Sequence, residues 1–106
     1  MQQTARRVAA LYAARDMKRF GRPWGANELV LGLMGDVGDL AKLAQGKAGI
    51  RPHPDLEAAL AHELADCLWS VIALADAFEV DLERAFVDTM QELTQQLNRT
   101  EDLPDR

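Results

Sequence analysis

The chain has 106 residues, enough for one small domain with a single core. Its 12 basic and 17 acidic residues give a net charge of −5, which argues against a nucleic-acid partner. The one cysteine, Cys67, excludes an internal disulfide and favours a reducing, cytoplasmic setting. The start lacks the apolar core of a secretory signal, and the longest nearly apolar run, residues 67–78, is too short to span a bilayer. We therefore expect no membrane partner.

Helical periodicity predicts two segments in the first half of the chain. The first covers Thr4 to Phe20 and ends at GRPWG, where two glycines and a proline break the helix. The second covers Ala26 to Gln45 and ends at the loop GKAGIRPHP. No segment alternates between apolar and polar residues as a strand does, so the predicted fold class is all-α.

Two further helices are predicted in the second half. Asp55 is expected to be the N-cap of a third helix that ends near Phe78, and Asp81 the N-cap of the fourth. The fourth helix has apolar residues at spacings of three and four: Leu82, Phe86, Met90, Leu93 and Leu97. A frayed tail is expected over about 99–106. No repeat or linker divides the sequence, so residues 1–106 are expected to form a single four-helix domain.

The third helix is predicted to be largely buried, because apolar side chains cover nearly half of its circumference. They are Leu60, Leu64, Cys67, Leu68, Val71, Ile72, Leu74 and Phe78, with Trp69 beyond them. Tyr12 and Phe20 are also expected in the core. Four short helices rarely bury so much surface alone, so we expect the bundle to complete its core by homo-oligomerisation.

Two pairs of carboxylates are the most informative feature of the sequence. Asp36 and Asp39 are three residues apart, and Asp36 lies among leucines on the apolar side of the second helix. Glu63 and Asp66 repeat this spacing on the third helix. Beside them lie Ser70 and small residues that leave room for a ligand: Ala59, Ala73 and Ala77.

Four carboxylates between two packed helices repel each other, and raised pKa values or bound cations relieve that repulsion. Mg²⁺ takes a few carboxylates and completes its shell with water and substrate phosphates, so the two pairs favour Mg²⁺ bridging a polyphosphate. The competing interpretation is that such pairs lie on solvated helix faces. A di-iron site is set aside because neither His53 nor His62 has the required Glu-x-x-His spacing; both are expected at the surface or in loops.

The segments LGLMGDVGDLAKLAQGK and HELADCLWSVIALADAFEVDLERAF together resemble the MazG-like all-α nucleoside triphosphate pyrophosphohydrolases. The resemblance covers about residues 27–90 and is closest to the dCTP-pyrophosphatase-like branch, which reads GEVGEL, then ELxDVL, then VDL. It implies a helical domain that forms a homodimer or a dimer of dimers. It also implies hydrolysis of a (d)NTP to a (d)NMP and pyrophosphate with Mg²⁺, which Mn²⁺ can replace, in house-cleaning of the nucleotide pool.

The resemblance places the family's metal ligands on Asp36, Asp39, Glu63 and Asp66. Glu63 has the longest reach, so we expect it also to orient or deprotonate the attacking water. Candidate contacts to the substrate are Lys47, Lys42 and Arg15 for phosphates and Trp24 for the base. Three glycines at intervals of three on the second helix, Gly32, Gly35 and Gly38, suggest that another helix or a ligand approaches closely there.

The sequence departs from the family at several positions. Asp36 and Asp39 stand where glutamate is usual, so the helices must approach more closely to share a metal. Thr89 and Leu93 stand where relatives often carry a lysine and an asparagine that contact substrate. Two alternatives therefore stay open: a catalytically weak or inactive homo-oligomer that binds a nucleotide or a protein partner, and a purely structural helix bundle.

Overall fold

The computed structural model describes residues 1–22, 25–49 and 53–99, and over these residues the regular structure is entirely helical. Four helices follow one another: α1 (Gln2–Phe20), α2 (Ala26–Lys47), α3 (Leu56–Ala77) and α4 (Leu82–Arg99). The predicted class and the four predicted helices are confirmed, with ends close to those expected from the sequence.

The helix ends follow local chemistry. Helix α1 ends at Gly21, which has a φ of 77° and donates its N–H to the Met17 carbonyl. The Asp81 carboxylate accepts the Arg84 N–H at 3.1 Å and so caps α4 as predicted. Asp55 occupies the predicted N-cap of α3, but its side chain makes no capping hydrogen bond there. Asn98 and Arg99 belong to α4, and the rest of the predicted tail lies outside the described residues.

Helix α3 lies at the centre, with α1 and α2 packed against it in antiparallel directions. The start of α1 meets the end of α3, because Arg6 forms an ion pair with Asp76 at 3.0 Å. The end of α2 meets the start of α3, where Lys47 forms an ion pair with Glu57. This antiparallel arrangement brings the middle of α2 opposite the middle of α3, where the two carboxylate pairs lie.

The core of the single chain is small. Its buried apolar residues, among those that the structure describes, are Ala5, Leu43, Ile72 and Ala73. The expected burial of α3 and of Phe20 is wrong for one chain, since Leu64 is 56% and Phe20 65% exposed. The physical reason is that α1 and α2 cover only part of the circumference of α3.

Helix α4 stands apart from the other three over the described residues. Its side chains are without exception at least partly exposed, although it is strongly amphipathic. The Cα radius of gyration is 17.8 Å, whereas a compact domain of this length has about 13 Å. The single chain is therefore extended, and none of the described residues covers its apolar faces on α3 and α4.

Helix α3 is also long and apolar enough to cross a membrane on length and composition alone. The expectation that no segment is long enough is wrong on this criterion, because α3 covers 22 residues, Leu56–Ala77, and so begins well before the apolar run of residues 67–78. The core helix of a soluble protein passes the same test. The finding is therefore weak evidence for a membrane span.

Two glycines predict opposite effects of the same substitution. Apart from its chain neighbours and the adjacent backbone of its own helix, a Cβ at Gly38 would meet no atom of the described residues within 4 Å, and Gly35 is equally open. The inferred close approach at these two positions is therefore wrong within the chain. Gly38→Ala should raise the free energy of unfolding by about 1 kcal/mol, because alanine favours helix. Gly21→Ala should lower it by about 1 kcal/mol, because Gly21 is left-handed. Urea unfolding measures both; a loss of stability in Gly38→Ala would contradict the open environment.

Candidate metal centre and adjoining cleft

The carboxylates on α2 and α3 come together as predicted. Asp36, Asp39 and Glu63 each offer an oxygen within 4.8 Å of the other two. Opposite ligands of one Mg²⁺ ion lie about 4.2 Å apart, so a small adjustment closes this group around an ion. The shorter aspartates are therefore accommodated, because the helices approach closely enough. Glu63 and Asp66 belong to a second such group, so all four predicted acids form one cluster.

Burial and mutual repulsion shape the electrostatics of this cluster. Desolvation, followed by the charges of Asp66 and Asp39, raises the pKa of Asp36 above its usual range. Desolvation also raises the pKa of Glu63, with the charge of Asp39 as the next cause. Among the described residues, no lysine or arginine forms an ion pair with any of the four acids. The cluster therefore carries an excess of negative charge that a cation would neutralise.

One atom of the cluster fits a metal ligand particularly well. Glu63 Oε2 is buried and has no hydrogen-bond partner among the described residues. An unpaired buried carboxylate oxygen is costly, so buried polar atoms normally have partners. A divalent cation would satisfy this oxygen, and hard cations such as Mg²⁺ prefer oxygen ligands. The donor set thus suits a divalent metal.

His62 lies in this cluster and not apart from it. Both histidines were predicted to be surface or loop residues. This is confirmed for His53, which precedes α3, and His62 is exposed on the surface of α3. However, His62 Nε2 is 3.1 Å from Asp66 Oδ2, and His62, Glu63 and Asp66 form the second potential metal group. The i,i+4 relation of His62 and Asp66 was the sequence signal for this contact.

A cleft of about 510 Å³ opens between α1, α2 and α3 beside the carboxylates. This volume is typical of small-molecule sites. Asp36 and Asp66 line it, together with Ser70, Ala73 and Ala77, the small side chains that were expected to leave room for a ligand. The acidic cluster and the space for a ligand are therefore contiguous.

Aromatic side chains form one wall of the cleft. The Tyr12 and Trp69 rings are 5.3 Å apart between centroids, and the Trp69 indole N–H donates to the Ala5 carbonyl at 3.1 Å. The Arg15 guanidinium lies over the Tyr12 ring at 4.7 Å and lines the cleft as well. Of the three basic residues predicted to contact phosphates, Arg15 is thus the one that lines the cleft.

The other substrate-binding candidates lie elsewhere. Lys42 is exposed on α2, and the exposed Lys47 is engaged by Glu57; neither lines the cleft. Trp24 lies outside the described residues. Cys67 is half-buried, and burial raises the pKa of its thiol, in keeping with the predicted small apolar residue.

Sequence reasoning missed Asp16. Its side chain is almost fully buried, with 1% of the residue exposed, and it lines the cleft. Its partner within the described residues is Arg15, whose Nη2 is 3.4 Å from Asp16 Oδ1. Asp16 follows Tyr12 by four residues, so its place on the same face of α1 was visible in the sequence.

The fold and the cluster are consistent with the MazG-like superfamily: an all-helical chain with two acidic pairs on facing helices. No protein-family model matches the chain. It is 42% identical over 91 residues to dCTP pyrophosphatase 1 of Rattus norvegicus, a match that covers 80% of this chain and 52% of that protein. It is 41% identical to dCTP pyrophosphatase 1 of Mus musculus and of Homo sapiens over the same length.

These matches confirm the resemblance to the dCTP-pyrophosphatase-like branch. The chain is a homologue of dCTP pyrophosphatase 1 over four fifths of its own length. It spans about half the length of the curated relatives that it matches.

Proposed function

We propose that this domain is a Mg²⁺-dependent nucleoside triphosphate pyrophosphohydrolase that serves in house-cleaning of the nucleotide pool. It cleaves a (d)NTP between the α and β phosphates and releases a (d)NMP and pyrophosphate. The observation that carries the proposal is the acidic cluster opening onto a cleft of nucleotide size. The homology to dCTP pyrophosphatase 1 supports the reaction and makes dCTP the first substrate to test.

The side chains divide the work by position. Asp36, Asp39, Glu63 and Asp66 would hold the cation, which supplies positive charge against the phosphates and activates water. Glu63 accepts a proton from the attacking water, or orients it, because as the one glutamate among the four acids it has the longest reach. Tyr12 and Trp69 offer apolar surface to the nucleoside, and Arg15 offers a cation.

We infer that the active form is a homodimer or a dimer of dimers in the cytoplasm. The exposed apolar faces of α3 and α4 and the extended shape of the chain support this assembly. In such an assembly, helices from another copy would cover these faces and close the cleft. Thr89 and Leu93 lie on α4, away from the cleft of their own chain.

The alternative is a catalytically weak or inactive homo-oligomer that binds a nucleotide or a protein partner. The absence of the family's lysine and asparagine at Thr89 and Leu93 favours this reading. It predicts nucleotide binding without release of pyrophosphate.

The deciding experiment is a pyrophosphate-release assay over a panel of canonical and modified NTPs and dNTPs, with Mg²⁺ and with Mn²⁺. We expect release from dCTP or a close analogue in the presence of either metal, and none after chelation. A folded sample that binds nucleotide but releases no pyrophosphate from any member would reject the enzyme and support the binding protein.

A further inference from the structure

One buried carboxylate of the cleft has no part in the proposed metal centre. Asp16 lies on α1 with 1% of the residue exposed, and it lines the cleft between α1, α2 and α3. We propose that the Asp16 carboxylate recognises the base of the substrate by accepting a hydrogen bond from an exocyclic amino group, such as N4 of cytosine. The inference rests on the proposed function and deepens it, because it states which nucleotides the cleft prefers.

Asp16 has fewer hydrogen-bond donors around it than a buried carboxylate needs. Its two oxygens offer about four acceptor positions. Over the described residues, the donor to this carboxylate is Arg15 Nη2, which is 3.4 Å from Asp16 Oδ1. Charge-assisted hydrogen bonds of this kind are normally about 2.7–2.9 Å long, and successive residues do not face each other on a helix. Because buried charges are normally paired or hydrogen-bonded, a donor on a ligand in the cleft would satisfy the remaining positions.

Asp16 is separate from the acidic cluster on α2 and α3. Over the described residues, it belongs to neither group of potential metal ligands. Its charge is also not among the causes that raise the pKa values of Asp36 and Glu63. The cation of the proposed metal centre is therefore not the partner of Asp16, and we take the substrate itself as the source of the missing donor.

The surroundings of Asp16 suit a nucleobase. Tyr12 lies one helical turn before Asp16 on the same face of α1, and its ring centroid is 5.3 Å from that of Trp69. Proteins commonly bind the flat faces of unpaired bases on aromatic side chains and form hydrogen bonds to the base edges with polar groups. Asp16 thus places a hydrogen-bond acceptor beside an aromatic wall.

An acceptor that cannot donate distinguishes bases by the donors on their edges. Cytosine has an amino group at the position where uracil has a carbonyl oxygen. With uracil, the carboxylate would face a second acceptor and stay unpaired, and sites built for a hydrogen bond reject analogues that lack the matching group. A hydrogen bond to a charged group accounts for about 10- to 100-fold. We therefore expect kcat/KM for dCTP to exceed that for dUTP by at least about 10-fold.

Asp16→Asn should remove most of this preference. The amide has the same size, but it can accept or donate a hydrogen bond and so tolerates either base edge. The ratio of kcat/KM for dCTP to that for dUTP should fall by at least about 10-fold. Asp76→Asn is the matched control, because Asp76 also lines the cleft but its side chain is 50% exposed and paired with Arg6. It should leave the ratio within about twofold of the wild-type value.

Changes in the substrate test the same contact without relying on the folding of a variant. The 2-pyrimidinone deoxynucleoside triphosphate lacks the amino group of dCTP and adds no bulk. Wild-type protein should use it at least about 10-fold less efficiently than dCTP. In contrast, 2′,3′-dideoxy-CTP keeps the amino group and lacks the sugar hydroxyl, so Asp16→Asn should reduce its turnover as much as that of dCTP. Circular dichroism checks that Asp16→Asn and Asp76→Asn are helical.

The proposal is overturned if the wild type uses dCTP and dUTP equally, or if Asp16→Asn lowers both in parallel, as a purely structural role predicts. It is also overturned if the effect of Asp16→Asn disappears with 2′,3′-dideoxy-CTP, because Asp16 would then contact the sugar. Calorimetry with the non-hydrolysable α,β-imido analogues of dCTP and dUTP, in Mg²⁺, measures the preference without turnover. An Asp16-dependent preference in binding without pyrophosphate release rejects only the enzyme. Pyrophosphate release without that preference rejects only the role of Asp16.

Discussion

Asp39→Asn and Asp66→Asn should each lower kcat/KM for pyrophosphate release by at least about 100-fold, with the helices still folded. Each substitution keeps the size of the side chain but removes one negative charge from the cluster around Glu63. The cation is then held less tightly, and the charge that develops on the phosphates is less well neutralised. Steady-state assays with the best substrate of the panel, across a range of Mg²⁺, measure the effect.

Asp88→Asn is the matched control. Asp88 lies on α4, is largely exposed and forms only a long ion pair of 3.8 Å with Arg84. The same loss of one charge outside the cluster should leave kcat/KM within about twofold, because exposed charges contribute little. Full activity in Asp39→Asn or Asp66→Asn would remove the cluster from the reaction.

Asp39→Asn and Asp66→Asn should also stabilise the metal-free chain. Burial and neighbouring carboxylates hold the pKa values of Asp36 and Glu63 above their usual range. A carboxyl with a raised pKa in the folded state costs nothing while it is protonated, so the penalty develops as pH rises from its ordinary pKa through its raised one. Mg²⁺ should raise the Tm of the wild type by roughly 10 °C at 100 times its Kd. At one fixed Mg²⁺ concentration, the increase should be larger at pH 8 than at pH 5, because protons compete with the metal for the carboxylates.

The helices and the acidic cluster could be predicted because local chemistry specifies them. Apolar residues at spacings of three and four define each helix, and glycines, prolines and Asp81 define several ends. Asp36 stood out because a carboxylate on an apolar face needs a partner. The packing of α2 against α3 then brings Asp36 to Glu63, as the two acidic pairs predicted.

Burial could not be predicted, because a helical wheel shows which face is apolar but not what covers it. Leu64 and Phe20 are on apolar faces, yet they are exposed in the single chain. The place of His62 in the cluster was not predicted either, since its direct neighbour Glu63 points 100° away around an ideal helix. The contact with Asp66 depends on the side-chain direction that the folded helix adopts.

Charge on the apolar face of α4 should separate the proposed oligomer into monomers. Phe86 and Met90 lie one turn apart on this face and are 61% and 39% exposed in the single chain. Burying a side chain of this size is worth about 1.5–3 kcal/mol, and a twofold interface counts each residue twice. The double variant Phe86→Glu/Met90→Glu should therefore raise the dissociation constant by at least about 100-fold.

Gln95→Glu provides the control for that experiment, because Gln95 lies on the opposite, polar face of α4 and is exposed. It adds a carboxylate to the same helix but should leave the assembly intact. Sedimentation velocity over micromolar concentrations measures the mass of each protein. A monomeric wild type, or a double variant that assembles as the wild type does, would contradict the interface on α4. If the double variant is monomeric and also loses pyrophosphate release, closure of the cleft by a second copy accounts for both losses, since neither residue lines the cleft of its own chain.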